Sequence, residues 1–459
     1  METTLAAPAG LDAYTGTFGV REATRLLWRA GFGPRRGEAA TVASLGLDAA
    51  ITSLTRPSGA PVLQGPEPYT EFSPRLNPGV EFEHDHLAWF DRMIRSSQPF
   101  VERMALLWHD WFGVAVDVGR LQQYNLMARH VQLFRTKGLG SFRQLLLDIT
   151  ADGAMLVRLD GDENAKGRPN ENYAREMMEL YALGPDRGAY TERDVREAAR
   201  GLTGYTDDYA PSQGGFYNFR YEAERHDDGA KTVFGKTAAY EPAGVVDACV
   251  AHPLHPSFLV LKLWSAFIAV PPPEDQRKVL ERVYLANGFR VRPVVEAILR
   301  HRLLYEGPAL VKPPVVQAAG LLRAIGRGIE TIAWTGETAG AGQHLYHPPN
   351  IAGWREDRWL DTSSLRYRWQ LAFHALKGRQ WQPGQAYPAT ETAQQAVGAA
   401  LRFWDDPPAI RADTRTALVR AATRMGALAT PGLTASERNG YRQNVLRHLV
   451  AGCHDNQVS

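Results

Sequence analysis

The sequence has almost no cysteine. Cys249 and Cys453 stand far apart in 459 residues and in no CxxC pattern. That excludes a disulfide scaffold and a thiolate zinc site, and it suits a reducing compartment. Charge of one sign is equally scarce: 52 basic against 50 acidic residues leave a formal net charge of +2. No run of five or six like charges occurs, so a nucleic-acid or anionic-membrane partner has no electrostatic support. Long apolar runs are missing too, and no stretch approaches the roughly 20 residues of a membrane span. The leading METTLAAPAGLDAYTGTFGV has neither a basic n-region nor a long apolar h-region, so it does not read as a secretory signal. The expectation is a cytoplasmic protein.

Several signatures are also absent. There is no GxxxxGK[ST], no GxSxG, no HExxH and no convincing GxGxxG, which leaves no sign of a nucleotide cofactor, a nucleophile elbow or a zincin helix. No fixed-period repeat argues for a solenoid.

What the sequence does have is helical periodicity. Residues 21–31 place Ala23, Leu26, Leu27 and Ala30 on one stripe, closed by Gly31, as an amphipathic helix requires. Similar patterns predict helices from there to the C-terminus, including a long one over 83–112 interrupted near Ser97, Gln98 and Pro99. Strand signals are few: FYNFRY (216–221) and KTVFG (231–235) predict one hairpin. The expected fold is mainly α, a multi-helical globular array with at most a small β-hairpin and long ordered loops at 204–240 and 335–362. We expect a flexible stretch at 1–20, a helical domain over 21–378 and a C-terminal helical extension over 379–459 packing on it, with a hinge near 380–395.

Polar residues crowd four segments. In NENYAREMMELYALG (170–184), Asn172, Glu176 and Glu179 fall at i, i+4 and i+7, beside a stripe of Tyr173, Met177 and Leu180. Such a helix is expected to be largely buried, with its acidic stripe on a polar cavity. The next helix begins TERD, a capping box that accounts for Thr191 and Asp194 structurally. In ERMALLWHDWFG (102–113), Glu102 and His109 share a helix face, and His109 points inward. RHDDGAKTVFGK (225–236) gathers His226, Asp227, Asp228 and Lys231 around Gly229. EFEHDH (81–86) offers Glu81-x-x-His84 and Glu83-x-x-His86, a spacing that suits di-iron ligation; the two copies overlap, and the stretch is expected to be exposed and solvated.

Seven blocks together resemble, in order, the DUF1800 family of bacterial proteins. They are RLLWRAGFGP (25–34), ERMALLWHDWFG, NENYAREMMELYALG, YTERDVREAARGLTGY (190–205), RHDDGAKTVFGK, KLWSAFIAV (262–270) and HPPNIAGWREDRWLDTSSLRYR (347–368). The resemblance spans about residues 22–378. It implies little chemistry, because the family is functionally uncharacterised. Many relatives are exported and occur beside DUF1501 proteins, so a DUF1501-like protein partner is one implied role, that of a binding or assembly protein. The polar residues of these blocks favour an enzyme. Two histidines and a carboxylate form the ligand set of non-haem iron and of several zinc or copper sites. His109 and His226 with Glu176 or Asp227 are the expected ligands of a divalent metal. Arg175 or Lys231 would orient an anionic small-molecule substrate, with Glu176 catalytic and Asn172, Glu179, Asn350 and Trp354 lining its site. Oxidative chemistry is favoured over hydrolysis. A metal-free acid–base enzyme using Glu176 or Glu179 with His109 is the third reading.

Overall fold

A computed structural model of the chain describes residues 7–116, 123–427 and 431–459. The helical periodicity is realised throughout. The first helix, Val20–Arg29, buries Ala23, Leu26 and Leu27. The long pattern over 83–112 divides into His84–Arg95 and Pro99–Trp111, because Pro99 lacks the N–H needed to continue a helix and is well placed to start the next one. The start expected for the following helix, near 121, lies outside the described residues, and the helix itself runs Tyr124–Lys137. Helices missed by periodicity are short: Gly153–Arg158, Arg302–Glu306 and Ala333–Gly340. Fewer than three turns give too few apolar positions to define a stripe.

The expected pairing of FYNFRY with KTVFG does not form. Strand Gly215–Tyr221 pairs antiparallel with the preceding Tyr205–Ala210, and Lys231–Val233 pairs with Lys236–Ala238. Each strand takes its nearest neighbour. In the second hairpin Phe234 and Gly235 both hold positive φ, 48° and 74°, the backbone a two-residue type I′ turn demands. The sheets are thus two local ribbons on a helical body.

Described residues toward each end are tied in. Residues 1–20 were expected to be flexible, but Asp12 N donates to Gln276 Oε1 (2.8 Å) and Tyr14 N to Arg300 O (2.8 Å). The expected hinge is pinned by buried Trp381, whose N–H donates to Asn444 Oδ1 (2.7 Å). Asn444 lies on the last long helix, Ala435–Gly452, which packs on Thr362–Leu376. No single helix among the described residues is long and apolar enough to cross a membrane.

One buried carboxylate joins three of the helices that frame the site. Glu102 accepts from Trp89 Nε1 (3.2 Å), Arg92 Nε (2.8 Å) and Arg135 Nε (2.9 Å). These donors come from His84–Arg95 and Tyr124–Lys137, on either side of Glu102's own helix. Removing one partner of a buried charge network costs several kcal/mol because the remaining charges lose their compensation. We expect Glu102→Ala to lower the free energy of unfolding by about 3 kcal/mol, measured by urea denaturation, with Glu102→Gln losing less because it still accepts hydrogen bonds.

Candidate metal centre

The helix His84–Arg95 starts unusually. Its N-cap, Glu83, has φ 62° and makes no side-chain cap. A non-glycine residue in the left-handed region is uncommon, and where one is held there the surrounding structure must stabilise it. The loop before it is bound tightly to the helix start. Asn77 N donates to His84 Nδ1 (2.9 Å) and Gly79 N to Asp85 Oδ2 (2.8 Å). With its lone pair so used, His84 presents Nε2–H to Glu81 (3.3 Å). EFEHDH is therefore not a solvated stretch: Glu83, His84, Asp85 and His86 are all buried. The loop amides needed acceptors, and the acidic and imidazole groups supply them.

Turned inward by this arrangement, Glu83 meets His344, whose Nε2 lies 3.1 Å from Glu83 Oε2. His86 stands beside them, its ring centroid 5.1 Å from that of His344. Two imidazoles sharing one tetrahedral ion at N–metal distances of 2.0–2.1 Å have centroids about 5 Å apart. Glu83, His86 and His344 each offer a ligand atom, and these atoms lie within 4.8 Å of one another. Among the described residues this is the group of three or more that fits an ion.

The tautomer of His86 follows from Thr338. The Thr338 hydroxyl donates to Trp334 O (2.8 Å) and so offers a lone pair to His86 Nε2–H at 3.3 Å. That leaves Nδ1 unprotonated, buried and without a hydrogen-bond partner. Burial also pushes the His86 pKa well down, so the imidazole is neutral. A neutral ring, fixed through its second nitrogen and bare at the first, is the state a metal ligand needs.

The opposite wall is the segment after Ala333–Gly340, on which HLYH (344–347) sits. Tyr346 holds φ 65°, and its carbonyl accepts from Val116 N (2.8 Å). His344 and His347 stack with centroids 4.2 Å apart and planes 18° apart, and Tyr124 Oη lies 3.0 Å from His347 Nε2. Tyr124, His344 and His347 are half-buried, so one side of the group faces outward. Deeper in, His109 is completely buried among Trp89, His130, Tyr346 and Trp354. Both His109 nitrogens, His130 Nε2 and Trp354 Nε1 lack hydrogen-bond partners, whereas His130 Nδ1 is 2.9 Å from Asp152 Oδ2. Trp354 reaches this position because Asp110 Oδ1 accepts its backbone N–H (2.6 Å). At Gly353, φ is +95° and a Cβ would collide with Asp110, so only glycine fits there.

The other residues expected from the sequence go elsewhere. The ligand set of His109, His226 and Glu176 or Asp227 does not assemble, because the group that fits an ion contains none of them. His226 is buried, with Nδ1 on Thr203 O (2.9 Å). Asp227 takes both Arg200 Nε (2.7 Å) and Arg200 Nη2 (3.2 Å). Lys231, completely buried, donates to the carbonyls of Asp227 and Gly229 (3.0 Å to the latter). These contacts make the glycine loop a self-satisfied knot on the Glu192–Gly201 helix. Arg175 is held by Glu192 (2.6 Å) and Glu171 (3.0 Å) at the surface.

The NENYAREMMELYALG helix runs α over Asn172–Glu176 and then π over Met177–Ala182. The wider turn breaks the i, i+4, i+7 register. Asn172 is exposed, while Glu176 and Glu179 are half-buried. Glu179 accepts from Tyr190 Oη (3.2 Å), and burial, then Glu179, raises the Glu176 pKa. Asn350 is exposed and closes a turn, with Oδ1 accepting from Ala352 N (2.9 Å). Sequence reasoning set Glu83 and His86 aside as exposed, and it missed His344, His347, Tyr124 and Thr338. The Glu83-x-x-His86 and His344-x-x-His347 spacings were the available signals.

The fold and cluster define a mainly helical protein with a buried histidine–carboxylate group that could hold an ion. The family described as "Protein of unknown function (DUF1800)" matches residues 25–436, and the chain belongs to it. No curated protein and no solved structure matches the chain.

Asp110, which anchors Trp354, titrates unusually. Burial, only partly offset by the Trp354 N–H and Lys262, raises its pKa to about 6. The folded protein therefore holds this proton more tightly than the unfolded chain, whose Asp pKa is about 3.9. The stability this contributes is full below pH 4 and is lost as pH rises through 6. Asp110→Asn keeps the acceptor and removes the charge. Relative to this variant, the native protein should lose on the order of 2 kcal/mol between pH 4 and pH 7, followed by chemical denaturation across that range.

Proposed function

We propose that the protein is a metal-dependent enzyme whose ion is held by Glu83, His86 and His344, with oxidative chemistry on a small molecule favoured over hydrolysis. The observation that carries the reading is the bare, buried Nδ1 of His86 beside the Glu83–His344 pair. A buried polar atom without a partner is rare in native proteins and calls for an ion or water. Two histidines and one carboxylate are the protein ligands of non-haem iron(II) sites, and zinc and copper accept the same donors. Three protein ligands, rather than four, leave positions for water and substrate, which distinguishes reactive from purely structural centres. Bound there, the ion would supply Lewis acidity or redox capacity. Thr338 fixes the His86 ring, and Glu83 orients His344 by accepting from it. Tyr124 and His347 present a polar phenol–imidazole pair on the outward side, where a substrate would approach.

Elemental analysis of protein purified without chelator tests this. About one transition-metal ion per chain is expected, lost in His86→Ala and His344→Ala but kept in His226→Ala. Iron or copper would support the oxidative reading and zinc the hydrolytic one. Absence of metal, with a melting temperature unmoved by EDTA, would overturn both.

A further inference from the structure

A cavity lies against the face of the Pro99–Trp111 helix that carries Arg103, Leu106 and Asp110. It has a volume of about 320 Å3, with Arg103 and Asp110 at its base, Glu356 at its side and walls of Leu106, Val311 and Trp359. This is within the range of small-molecule sites, whose walls are mostly apolar with a few placed polar groups.

Arg103 is the informative residue. Two other buried arginines engage every nitrogen. Arg368 donates to Trp359 O (2.6 Å), Gln317 Oε1 (2.6 Å) and Lys312 O (2.8 Å), and Arg323 to Gly33 O (2.8 Å), Ile94 O (3.1 Å) and Glu38 (3.1 Å). Arg103 is only 9% exposed, yet among the described residues it makes one long hydrogen bond, Nε to Arg29 O at 3.4 Å. A guanidinium has five donors, so four of Arg103's are unused. No carboxylate lies within ion-pair distance of it among the described residues, although Glu356 and Asp110 both act on its charge. Lys262 also acts on the charge of both acids, from beyond ion-pair distance, and those two acids are underused. Asp110 commits one oxygen to Trp354 N, and the Glu356 carboxylate makes no hydrogen bond or ion pair among the described residues. Setting the Arg103 guanidinium this deep with so few partners costs free energy, and the cavity gives the cost a use.

We infer that this cavity binds a zwitterionic α-amino acid with an apolar side chain, its carboxylate on Arg103 and its ammonium facing Asp110 and Glu356. A plain anion would bring its charge close to two carboxylates, and a plain cation would leave the guanidinium unanswered. A molecule carrying both charged groups on one carbon answers each, with a forked guanidinium–carboxylate contact as the strongest element. The side chain lies against Leu106, Val311 and Trp359. The site is separate from the proposed ion, which neither contributes to it nor is needed for binding.

Isothermal titration with L-leucine tests the assignment, alongside 4-methylpentanoate, which lacks the ammonium, and isoamylamine, which lacks the carboxylate. Leucine should bind, with each truncated compound weaker by about tenfold or more, as loss of a charge-assisted hydrogen bond implies. Arg103→Met should abolish leucine binding while the ligand-free melting temperature holds or rises, since a buried unpaired charge has been removed. Glu356→Gln, at an exposed position that does not hold the fold, should weaken leucine about tenfold and leave 4-methylpentanoate unchanged. His86→Ala should still bind leucine, which separates this result from the metal reading. The inference is overturned if leucine does not bind, if 4-methylpentanoate binds as tightly, or if leucine binding survives Arg103→Met.

Discussion

Burying a carboxylate and two imidazoles at the start of one helix is possible only if another segment is laid over them, and much of the site's architecture serves that requirement. The segment from His344 to Trp354 is that cover. It is fastened at three places where backbone meets backbone or carboxylate at short range. Gly113 faces Ile351 so closely that no Cβ fits, and Val116 N donates to the carbonyl of Tyr346. Further along, Asp110 takes the Trp354 N–H. All three fastenings lie at or just beyond the end of the Pro99–Trp111 helix. The cover is positioned by that helix and by the Glu102 network that locks it to its neighbours, and the geometry of the ion group depends on both.

The Pro99–Trp111 helix is thus a partition. On one face it carries Glu102 and His109 toward the histidine cluster. On another it carries Arg103, Leu106 and Asp110 toward the cavity. The chain at both ends of the cover is shared in the same way, since His344 belongs to the ion group and His347 stacks on it, while the flanking Gln343, Glu356 and Trp359 line the cavity. Neighbouring residues, 109 with 110 and 343 with 344, therefore serve different compartments. A change in one compartment that shifts either element would be felt in the other, because both are close-packed and move as units rather than deforming locally.

The helical body was legible in the sequence because 3.6-residue periodicity is written residue by residue, and Pro99 marks its break unambiguously. The strand pairing was not. Alternation shows that FYNFRY can be a strand but not which neighbour it chooses, and Phe234–Gly235 made the nearer partner available. The site was legible only in its parts. Glu83-x-x-His86 was visible, yet EFEHDH follows a proline- and glycine-rich excursion and reads as surface. Its burial depends on loop amides from Asn77 and Gly79, contacts that no periodicity encodes. His226, Asp227 and Lys231 misled for the opposite reason. Their density suggested chemistry, but a tight glycine loop needs its own donors and acceptors satisfied, and those side chains do that.

The same accounting separates structural from functional polarity across the molecule. Arg175, Arg200, Asp227 and Lys231 have their partners at hand, and a satisfied group has nothing left to offer a ligand. His86 and Arg103 are buried at comparable depth with bonding capacity unspent. Folding alone does not explain that, since either position would be more stable with an apolar side chain of similar volume. Unspent capacity under burial is destabilising, and it persists where something outside the chain completes it. His86 with the neighbouring His109, and Arg103 with its cavity, combine such capacity with a clustered set of groups that a ligand could complete, and that is where its chemistry is to be sought.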